Sequence, residues 1–485
     1  MSELAYERLT AADSTFLAIE KANTHMHVAA TAIFDKGSLG NPAGGIDIER
    51  LRAHIASRLH LIPRYRQRLA YVPIENQAVW VDEEHFNIAY HVRHTSLPAP
   101  GTTAQLKRLA GRIMSQQLDR AKPLWEFWVI EGLSEGNSFA VIQKTHHCMI
   151  DGVSGVDLMA VLMSTEPVTE VAEPEPWVPR VAPGQLELAW SEAWRHIRDP
   201  AQLLARAPEA IRSPTEFLAG LSENLGAVGE AVGASMERTS RTPFNRKIGP
   251  HRRMDWLEMD LARLKQVKTA AGTTLNDVVL ATVAGAIRTF LVSRRVRPDG
   301  LRLRANVPVS IRSDEQHGTL GNQIALWMTD LPVHCADPLE RLTRVHATTA
   351  KLKSSRQVLG AQVLASVSDL TSSTLLSLAV RLSARSRPFN MVVTNIPGPQ
   401  MGIYLLDGRM KEIYPMVNLL ENQGIGVALF SYDGRLYWGI MGDWDLAPDL
   451  AGFVDAIRGS FEELYEAAIG GGTAAGAASE IEERA

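Results

Sequence analysis

Short apolar runs alternate with amphipathic segments along much of the chain. Residues Ser138 to Lys144 are mostly apolar and include β-branched side chains, which predicts a buried strand. From about Ser154 to Met163, apolar side chains recur at intervals of three and four residues, which predicts a helix after that strand. Strands that alternate with helices in this way favour an α/β fold.

Changes in composition divide the chain into parts. The segment from Glu166 to Pro183 is rich in proline and glutamate, and proline blocks helix interiors, so it is predicted to be a connector. The Ala- and Leu-rich segment from Gln185 to Met236 predicts helices broken by prolines, and a second α/β region runs from about Met254 to Ala467. The predicted parts are an N-terminal lobe at 1–184, a helical linker at 185–250, a C-terminal lobe at 251–469 and a disordered tail at 470–485.

The composition is that of a globular protein. The chain has 485 residues, of which 45% are hydrophobic and 21% are charged, so a mostly disordered chain is excluded. Its 50 basic and 54 acidic side chains give a formal net charge of −4, which argues against a nucleic-acid partner. Two cysteines give no disulfide framework, and no secretory or membrane-spanning segment is predicted, so we expect a cytoplasmic protein. It would meet an inner membrane or a lipid droplet only at the surface.

The most informative motif follows the predicted strand. His146 and His147 are succeeded by Asp151 and Gly152 in the pattern His-His-x-x-x-Asp-Gly. Neighbouring side chains on a strand point to opposite faces, so we expect one histidine to be catalytic and the other to be structural. Near neutral pH a histidine can accept a proton from a hydroxyl or a thiol. Asp151 lies where it could turn back or cap the following helix, and Gly152 leaves room for close approach of a substrate.

Three other interpretations of this motif stay open. The histidines could be core residues and Asp151 a simple helix cap. His147 and Asp151 could ligate a metal, although no third ligand has a recognisable spacing, so no metal site is predicted. Cys148 could be a nucleophile, but its apolar neighbours favour a buried thiol that only fills space.

The motif resembles the signature of the chloramphenicol acetyltransferase-like superfamily, and further segments narrow the resemblance. The chain is similar to bacterial wax ester synthase/acyl-CoA:diacylglycerol acyltransferases in a series of segments that run in order along most of it. These are Leu9 to Glu20, Met26 to Val28, Pro63 to Arg66, His91 to His94, Pro123 to Trp125, Leu275 to Val279, Val307 to Ser310, Gly321 to Asn322 and Thr394 to Pro399.

The resemblance implies a fold and a chemistry. It implies two acyltransferase-like lobes joined by the linker, with the active site at their interface and opening into a tunnel. It implies His147 as the general base, with His146 and Asp151 as the other members of the catalytic motif. By the same resemblance Asp151 is mainly structural and Gly152 keeps the channel open. The expected substrates are acyl-CoA and either diacylglycerol or a long-chain alcohol, with no further cofactor. A homodimer is one option for the assembly.

Residues of the second half complete the expected site. Thr274 and Asp277 resemble a capping box at the start of a long helix, which by itself could explain Asp277. The resemblance implies that Asn276 and Asp277 lie near the histidine motif and contribute to substrate binding. No glycine-rich phosphate-binding loop is visible, so the phosphates of CoA would need scattered basic residues, for which the candidates are Arg64, Arg66, Arg302 and Arg304.

Two alternatives to a lipid acyltransferase remain at this point. One is acyl transfer to a different acceptor, such as a glycolipid, a polyketide hydroxyl or an amine bound to a carrier protein. The other is a non-catalytic lipid-binding protein. The amphipathic residues from Ala201 to Met236 would suit either packing against the protein or contact with a membrane surface.

Overall fold

The structure is a computed structural model that describes residues 5–73, 77–149, 158–191, 239–310, 324–354 and 389–470. Asp151, Gly152 and the start of the predicted helix at Ser154 lie outside the described residues. The predicted linker beyond residue 191 and the predicted tail after residue 470 also lie outside them.

Helices are interspersed among the described strands along the chain. The strands of the first half are β1 (Tyr6–Arg8), β2 (His27–Asp35), β3 (Gln67–Tyr71), β4 (Ala78–Asp82), β5 (Val92–Ser96), β6 (Trp125–Glu131), β7 (Ser138–His146) and β8 (Met163–Ser164). The strands of the second half are β9 (Arg252–Asp260), β10 (Leu303–Ser310), β11 (Ile324–Leu331), β12 (Met391–Ile396), β13 (Tyr404–Leu405), β14 (Gly408–Met416), β15 (Ile425–Tyr432) and β16 (Arg435–Asp443). The helices are α1 (Ala11–Ile19), α2 (Ile48–Arg58), α3 (Ile88–His91), α4 (Thr103–Ser115), α5 (Leu158–Leu162), α6 (Leu261–Ala270), α7 (Leu275–Ser293), α8 (Pro338–Ser354) and α9 (Leu450–Tyr465).

Two mixed sheets organise the molecule. The first has seven strands in the order β5-β6-β7-β2-β14-β13-β8, and the second has six in the order β11-β10-β12-β15-β16-β9. Strands β1, β4 and β3 form a small third sheet. Every residue of β7 is buried, as its apolar sequence predicts, and this strand lies in the middle of the first sheet.

The chain crosses between the two large sheets. Strand β14 comes from the second half but pairs antiparallel with β2 of the first half, with Tyr414 opposite Thr31. Strand β13 then pairs with the short β8, with Leu405 opposite Met163. The first sheet is therefore built from both halves of the sequence. The proposed boundaries of the parts at residues 184, 250 and 469 stay predictions.

Close packing joins the two sheets along a seam. Helix α4 packs on β9 so tightly that a Cβ atom on Gly111 would lie 2.7 Å from the carbonyl oxygen of Arg252. Across the same seam, the rings of Trp256 and Tyr414 stack at 4.8 Å. Buried apolar residues of both halves share one core here, so the two lobes are closely packed along this part of the seam.

Helix α7 begins and packs as its sequence predicts. The hydroxyl of Thr274 accepts a hydrogen bond from the Asp277 N–H, and the Asp277 carboxylate accepts one from the Thr274 N–H, so the predicted capping box is confirmed. The helix is apolar and long enough to cross a membrane by length and composition alone, but most of it is buried in the second core. It is therefore a core helix.

One predicted helix is shorter than its pattern suggests. In the described residues, α5 covers Leu158–Leu162, whereas Met163 already belongs to β8. The predicted end at Met163 is wrong because pairing with β13 takes this residue into the sheet. The proline-rich connector contains no helix or strand between residues 167 and 184, as predicted, and a helix follows at residues 185–191.

Candidate active site

The histidine motif lies where the buried central strand ends. His146 is the last residue of β7, opposite His27 of β2, and the chain then makes a short 3₁₀ turn at His147–Met149. The two rings have different surroundings, as the alternation of side chains along a strand predicts. His146 points into a buried polar cluster, whereas the ring of His147 stacks on Phe16 of α1.

The His146 ring stabilises the turn that follows it. Its Nδ1 atom accepts a hydrogen bond from the Cys148 N–H at 3.2 Å, which requires an unprotonated Nδ1. Its Nε2 atom lies 3.5 Å from the Glu20 carboxylate. The side chain is only 1% exposed. These contacts make His146 a structural residue in this conformation.

Glu20 is a buried carboxylate at the end of α1. One oxygen accepts hydrogen bonds from Arg120, the shorter of them at 2.6 Å, and the other accepts one from the Met26 N–H at 3.2 Å. His27 Nε2 lies 3.5 Å away on the same side. Burial alone would raise the pKa of Glu20, but hydrogen bonding to His146 and Arg120 and the nearby charges hold it well below its usual range. Glu20 is thus an anion beneath the histidine motif.

His147 lies on the other side of the strand end. Its N–H donates to the carbonyl oxygen of Met26 at 2.7 Å, and its ring stacks on Phe16 with a centroid distance of 3.9 Å. Nδ1 makes no hydrogen bond to another residue of the described part. Burial lowers the pKa of His147 to about 4, so the imidazole is neutral at neutral pH. A neutral imidazole is the form that can accept a proton.

Cys148 lacks the features of a nucleophile. It is buried, and burial raises the pKa of its thiol well above the ordinary value, so the reactive thiolate is suppressed. In the described part of the chain, no group of three His, Cys, Asp or Glu side chains is placed to hold a metal ion. Among the described side chains at this strand end, the neutral imidazole of His147 is in the form that can accept a proton.

Of the second-half residues predicted for the site, Asp277 makes its described hydrogen bonds to Thr274 and to α8. Asp277 is buried and accepts hydrogen bonds from His346 Nδ1 at 2.8 Å and from Thr349 at 2.7 Å, both on α8. These partners and Thr274 all belong to the second half, so they explain Asp277 as a residue that ties α7 to α8. Asn276 is half-buried beside it. A role for Asn276 and Asp277 in substrate binding remains a prediction, as does the role of Asp151 and Gly152.

The buried polar cluster around Glu20 was not predicted from the sequence. Besides Arg120 and His27, it includes Lys144 on β7, whose ammonium group donates to the carbonyl oxygen of Ile113 at 2.9 Å near the end of α4. Burial lowers the pKa of Lys144 to about 8. A signal was present, because a glutamate directly after an apolar helix and a lysine inside an apolar strand both need buried partners.

A small cavity lies at the seam beside this cluster. His25 and His27 line it from the first half, and Arg252 and Met441 line it from the second, with a volume of about 10 Å³. The buried polar cluster around Glu20 therefore reaches, through His27, the contact between the lobes, where the resemblance places the active site.

Comparisons with known proteins identify the family of this chain. The family model described as the wax ester synthase/diacylglycerol acyltransferase catalytic domain matches residues 9–279, and the C-terminal domain of the same family matches residues 320–465. A Mycobacterium tuberculosis protein named as a diacylglycerol O-acyltransferase is 32% identical over 95% of this chain and 91% of its own length. Another from the same organism is 32% identical over 94% of this chain and 98% of its own length.

Solved structures show the same fold. The wax ester synthase/diacylglycerol acyltransferase from Marinobacter aquaeolei VT8 is 26% identical, covers 95% of this chain and 99% of its own, and has a TM-score of 0.66. The trichothecene 15-O-acetyltransferase from Fusarium sporotrichioides is 12% identical with a TM-score of 0.57, over 95% of this chain and 96% of its own, and it supports the fold alone. With both family domains matched in order, the chain belongs to the wax ester synthase/diacylglycerol acyltransferase family and is an acyltransferase with the chloramphenicol acetyltransferase-like fold.

Proposed function

We propose that this enzyme transfers the acyl group of an acyl-CoA to the hydroxyl of diacylglycerol or of a long-chain alcohol, with His147 as the general base. The observation that carries the proposal is the neutral imidazole of His147 at the end of β7. Its backbone N–H bonds to Met26 and its ring stacks on Phe16, and no carboxylate of the described residues pairs with it. The names of the relatives support the same substrates, because they describe diacylglycerol acyltransferases and a wax ester synthase.

The reaction needs a single base. His147 removes the proton of the acceptor hydroxyl while its oxygen attacks the thioester carbonyl carbon. The tetrahedral intermediate collapses with cleavage of the C–S bond, and the imidazolium returns the proton to the leaving thiolate. The products are an ester and free CoA, and no covalent enzyme intermediate is required. A general base of this kind contributes about 10²–10⁴-fold to the rate.

Substitution of the base tests this mechanism. The His147→Ala enzyme, incubated with palmitoyl-CoA and competing dioleoylglycerol and hexadecanol, should form ester at a rate lower by about 10²–10⁴-fold. Thin-layer chromatography of the products gives the acceptor preference of the native enzyme in the same assay. The matched control is Cys148→Ala, which should retain most turnover because the thiol is buried and protonated.

Three results would contradict the proposal. Near-native turnover of His147→Ala, with its fold confirmed by circular dichroism, would remove the base. Native enzyme that acylates an amine or a carrier-bound acceptor but neither lipid alcohol would assign a different acceptor class. Native enzyme that binds these lipids without forming any product would indicate a lipid-binding protein.

The substrates are lipids, and an exposed apolar segment supports contact with a lipid surface. Between residues 178 and 190 the structure exposes Val178, Val181, Leu186 and Trp190, with Leu186 at 87% and Trp190 at 67%. Exposed apolar and aromatic side chains favour the interface of a bilayer or droplet. Liposome flotation should therefore weaken for Leu186→Ser/Trp190→Ser but not for the exposed apolar control Met401→Ser. Equal flotation of both variants would remove this segment as the contact.

A further inference from the structure

A cleft of about 650 Å³ opens in the second lobe beside the segment that precedes β9. The residues that line it are Arg241, Thr242, Pro243, Asn245, Arg246, Val296 and Asn422. Both charged side chains in this lining are arginines, and both are exposed. The cleft therefore presents positive charge to whatever enters it.

A hydrogen-bonded network fixes the floor of this cleft. The side-chain amide of Asn245 donates to the carbonyl oxygens of Asn390 at 2.7 Å and of Asn422 at 3.0 Å. The Asn390 amide donates back to Asn245 at 2.8 Å, and Phe244 is buried in the second core. The Asn390 amide also donates to the carbonyl oxygen of Ser240 at 2.9 Å, so the backbone beside Arg241 and Arg246 is fixed, and both arginines line the same cleft.

Arg241 and Arg246 form no ion pair with a carboxylate in the described part of the chain. Other arginines of this lobe are engaged, such as Arg294 with Asp449 and Arg304 with Asp330. A guanidinium group offers a planar set of donors that matches phosphate oxygens. Exposed Arg295 and Arg297 flank Val296 at the rim and add to the same positive field.

The candidates for CoA phosphates that the sequence offered are mostly occupied. Arg64 is buried and binds Glu7 at 2.6 Å, and Arg66 is buried against Trp177. Arg304 binds Asp330 at 2.7 Å, and Arg302 also faces that carboxylate. These contacts hold the protein together, which leaves the cleft around Arg241 and Arg246 as the better-placed basic site among the described residues.

The cleft is connected to the histidine motif by a short stretch of chain. Asn422 lines the cleft, and the amide of Asn418 lies 3.2 Å from the sulfur of Met26. The Met26 carbonyl accepts the hydrogen bond from the His147 N–H. Asn422 lies four positions after Asn418, a stretch that spans at most about 14 Å even when fully extended. A ligand with a long flexible arm could therefore occupy the cleft and extend toward His147.

We propose that this cleft binds the phosphorylated nucleotide end of acyl-CoA, with Arg241 and Arg246 contacting its phosphates. The inference rests on the proposed function, in which acyl-CoA is the substrate that carries phosphate groups. The pantetheine arm then runs past residues 418–422 toward the strand end. Recognition of the nucleotide is thus separated in space from the base, so it affects substrate affinity and leaves the chemical step unchanged.

Kinetics with two acyl donors test the site. For Arg241→Ala/Arg246→Ala, the KM for palmitoyl-CoA should rise by at least about tenfold, with kcat little changed. The KM for the N-acetylcysteamine thioester of palmitate, which lacks the nucleotide, should stay at the native value. The matched control is Arg435→Ala/Arg458→Ala, which removes two exposed arginines of the same lobe outside the cleft and should change neither KM.

A binding measurement separates this proposal from the proposed function. By calorimetry, adenosine 3′,5′-bisphosphate should bind the native protein and bind the Arg241→Ala/Arg246→Ala variant at least about tenfold more weakly, whether or not turnover is detected. Equal affinity of the two proteins, or no binding to the native protein, would overturn the site. A third result would also overturn it. If the Arg241→Ala/Arg246→Ala variant no longer pelleted with phosphatidylglycerol vesicles but kept the native KM for palmitoyl-CoA, the cleft would bind lipid headgroups instead.

Discussion

The ring of His146 accepts a hydrogen bond from the backbone N–H of Cys148 at 3.2 Å, and this bond bridges His147, the proposed base. His147 lies between the two partners, so the conformation of its backbone depends on the side chain before it. The pair of adjacent histidines thus divides its roles, because one ring stabilises the turn and the other is available for chemistry.

Removal of the His146 ring should loosen that turn. His146→Ala leaves the buried N–H of Cys148 without its acceptor, which costs about 1–3 kcal/mol of the free energy of unfolding. It should also lower kcat, because the orientation of His147 is no longer fixed. Urea unfolding and steady-state kinetics measure the two effects. His146→Asn, whose side-chain oxygen can accept the same hydrogen bond, should recover part of kcat. A native kcat for His146→Ala would contradict this role.

The low pKa of His147 predicts an unusual pH profile. Because burial lowers its pKa to about 4, kcat/KM should stay constant from about pH 8 to about pH 6 and reach half its maximum only near pH 4. An exposed histidine would produce that fall near its ordinary pKa of about 6.5. Between these two values the unfolded chain binds the proton and the folded chain does not, so this residue makes stability fall as the pH falls.

Phe16 offers a control for that profile. Phe16→Ala removes the ring stacked at 3.9 Å on His147 and admits water, so the acid limb should move upward toward pH 6.5. Circular dichroism at each pH separates titration from unfolding. An acid limb near pH 6.5 in the native enzyme would show that the ring is solvated in solution.

Glu20 is predicted to support the site through its buried charge. Glu20→Gln leaves Arg120 and the histidines without their anion, which should lower the free energy of unfolding by about 2–3 kcal/mol, less than for a fully enclosed pair because Arg120 is partly exposed. Addition of Arg120→Gln should recover part of this loss, since the two substitutions remove both charges. Chemical unfolding of the single and double variants measures the coupling, and strictly additive losses would contradict it.

Asp277 and its neighbour separate a structural role from a functional one. Asp277→Ala removes the capping box and the bonds to α8, which should cost about 1–2 kcal/mol of the free energy of unfolding. Asn276→Ala should leave the stability close to native and lower activity if the polar network implied by the family resemblance includes it. Unchanged turnover and unchanged KM in Asn276→Ala would remove that role.

Local features of the fold were predictable from the sequence, whereas long-range ones were not. Strand β7 follows from its apolar run. The start of helix α7 follows from the capping box that Thr274 and Asp277 form three positions apart. The burial of Glu20 depends on Arg120, one hundred residues away along the chain, so no local pattern reveals it. Likewise, the pairing of β14 with β2 joins segments far apart in the sequence. The pairing of β13 with β8 is also long-range, and it recruits Met163, the predicted end of a helix, into a strand.

The position of β14 also has a consequence for how the molecule is made. While the ribosome is still translating, the edge of β2 stays open until Gly408–Met416 has emerged and taken its place beside it. A fragment that ends within the linker would keep that edge bare and prone to self-association. The two halves should therefore assemble productively only when both are present, as a single chain or as co-expressed pieces.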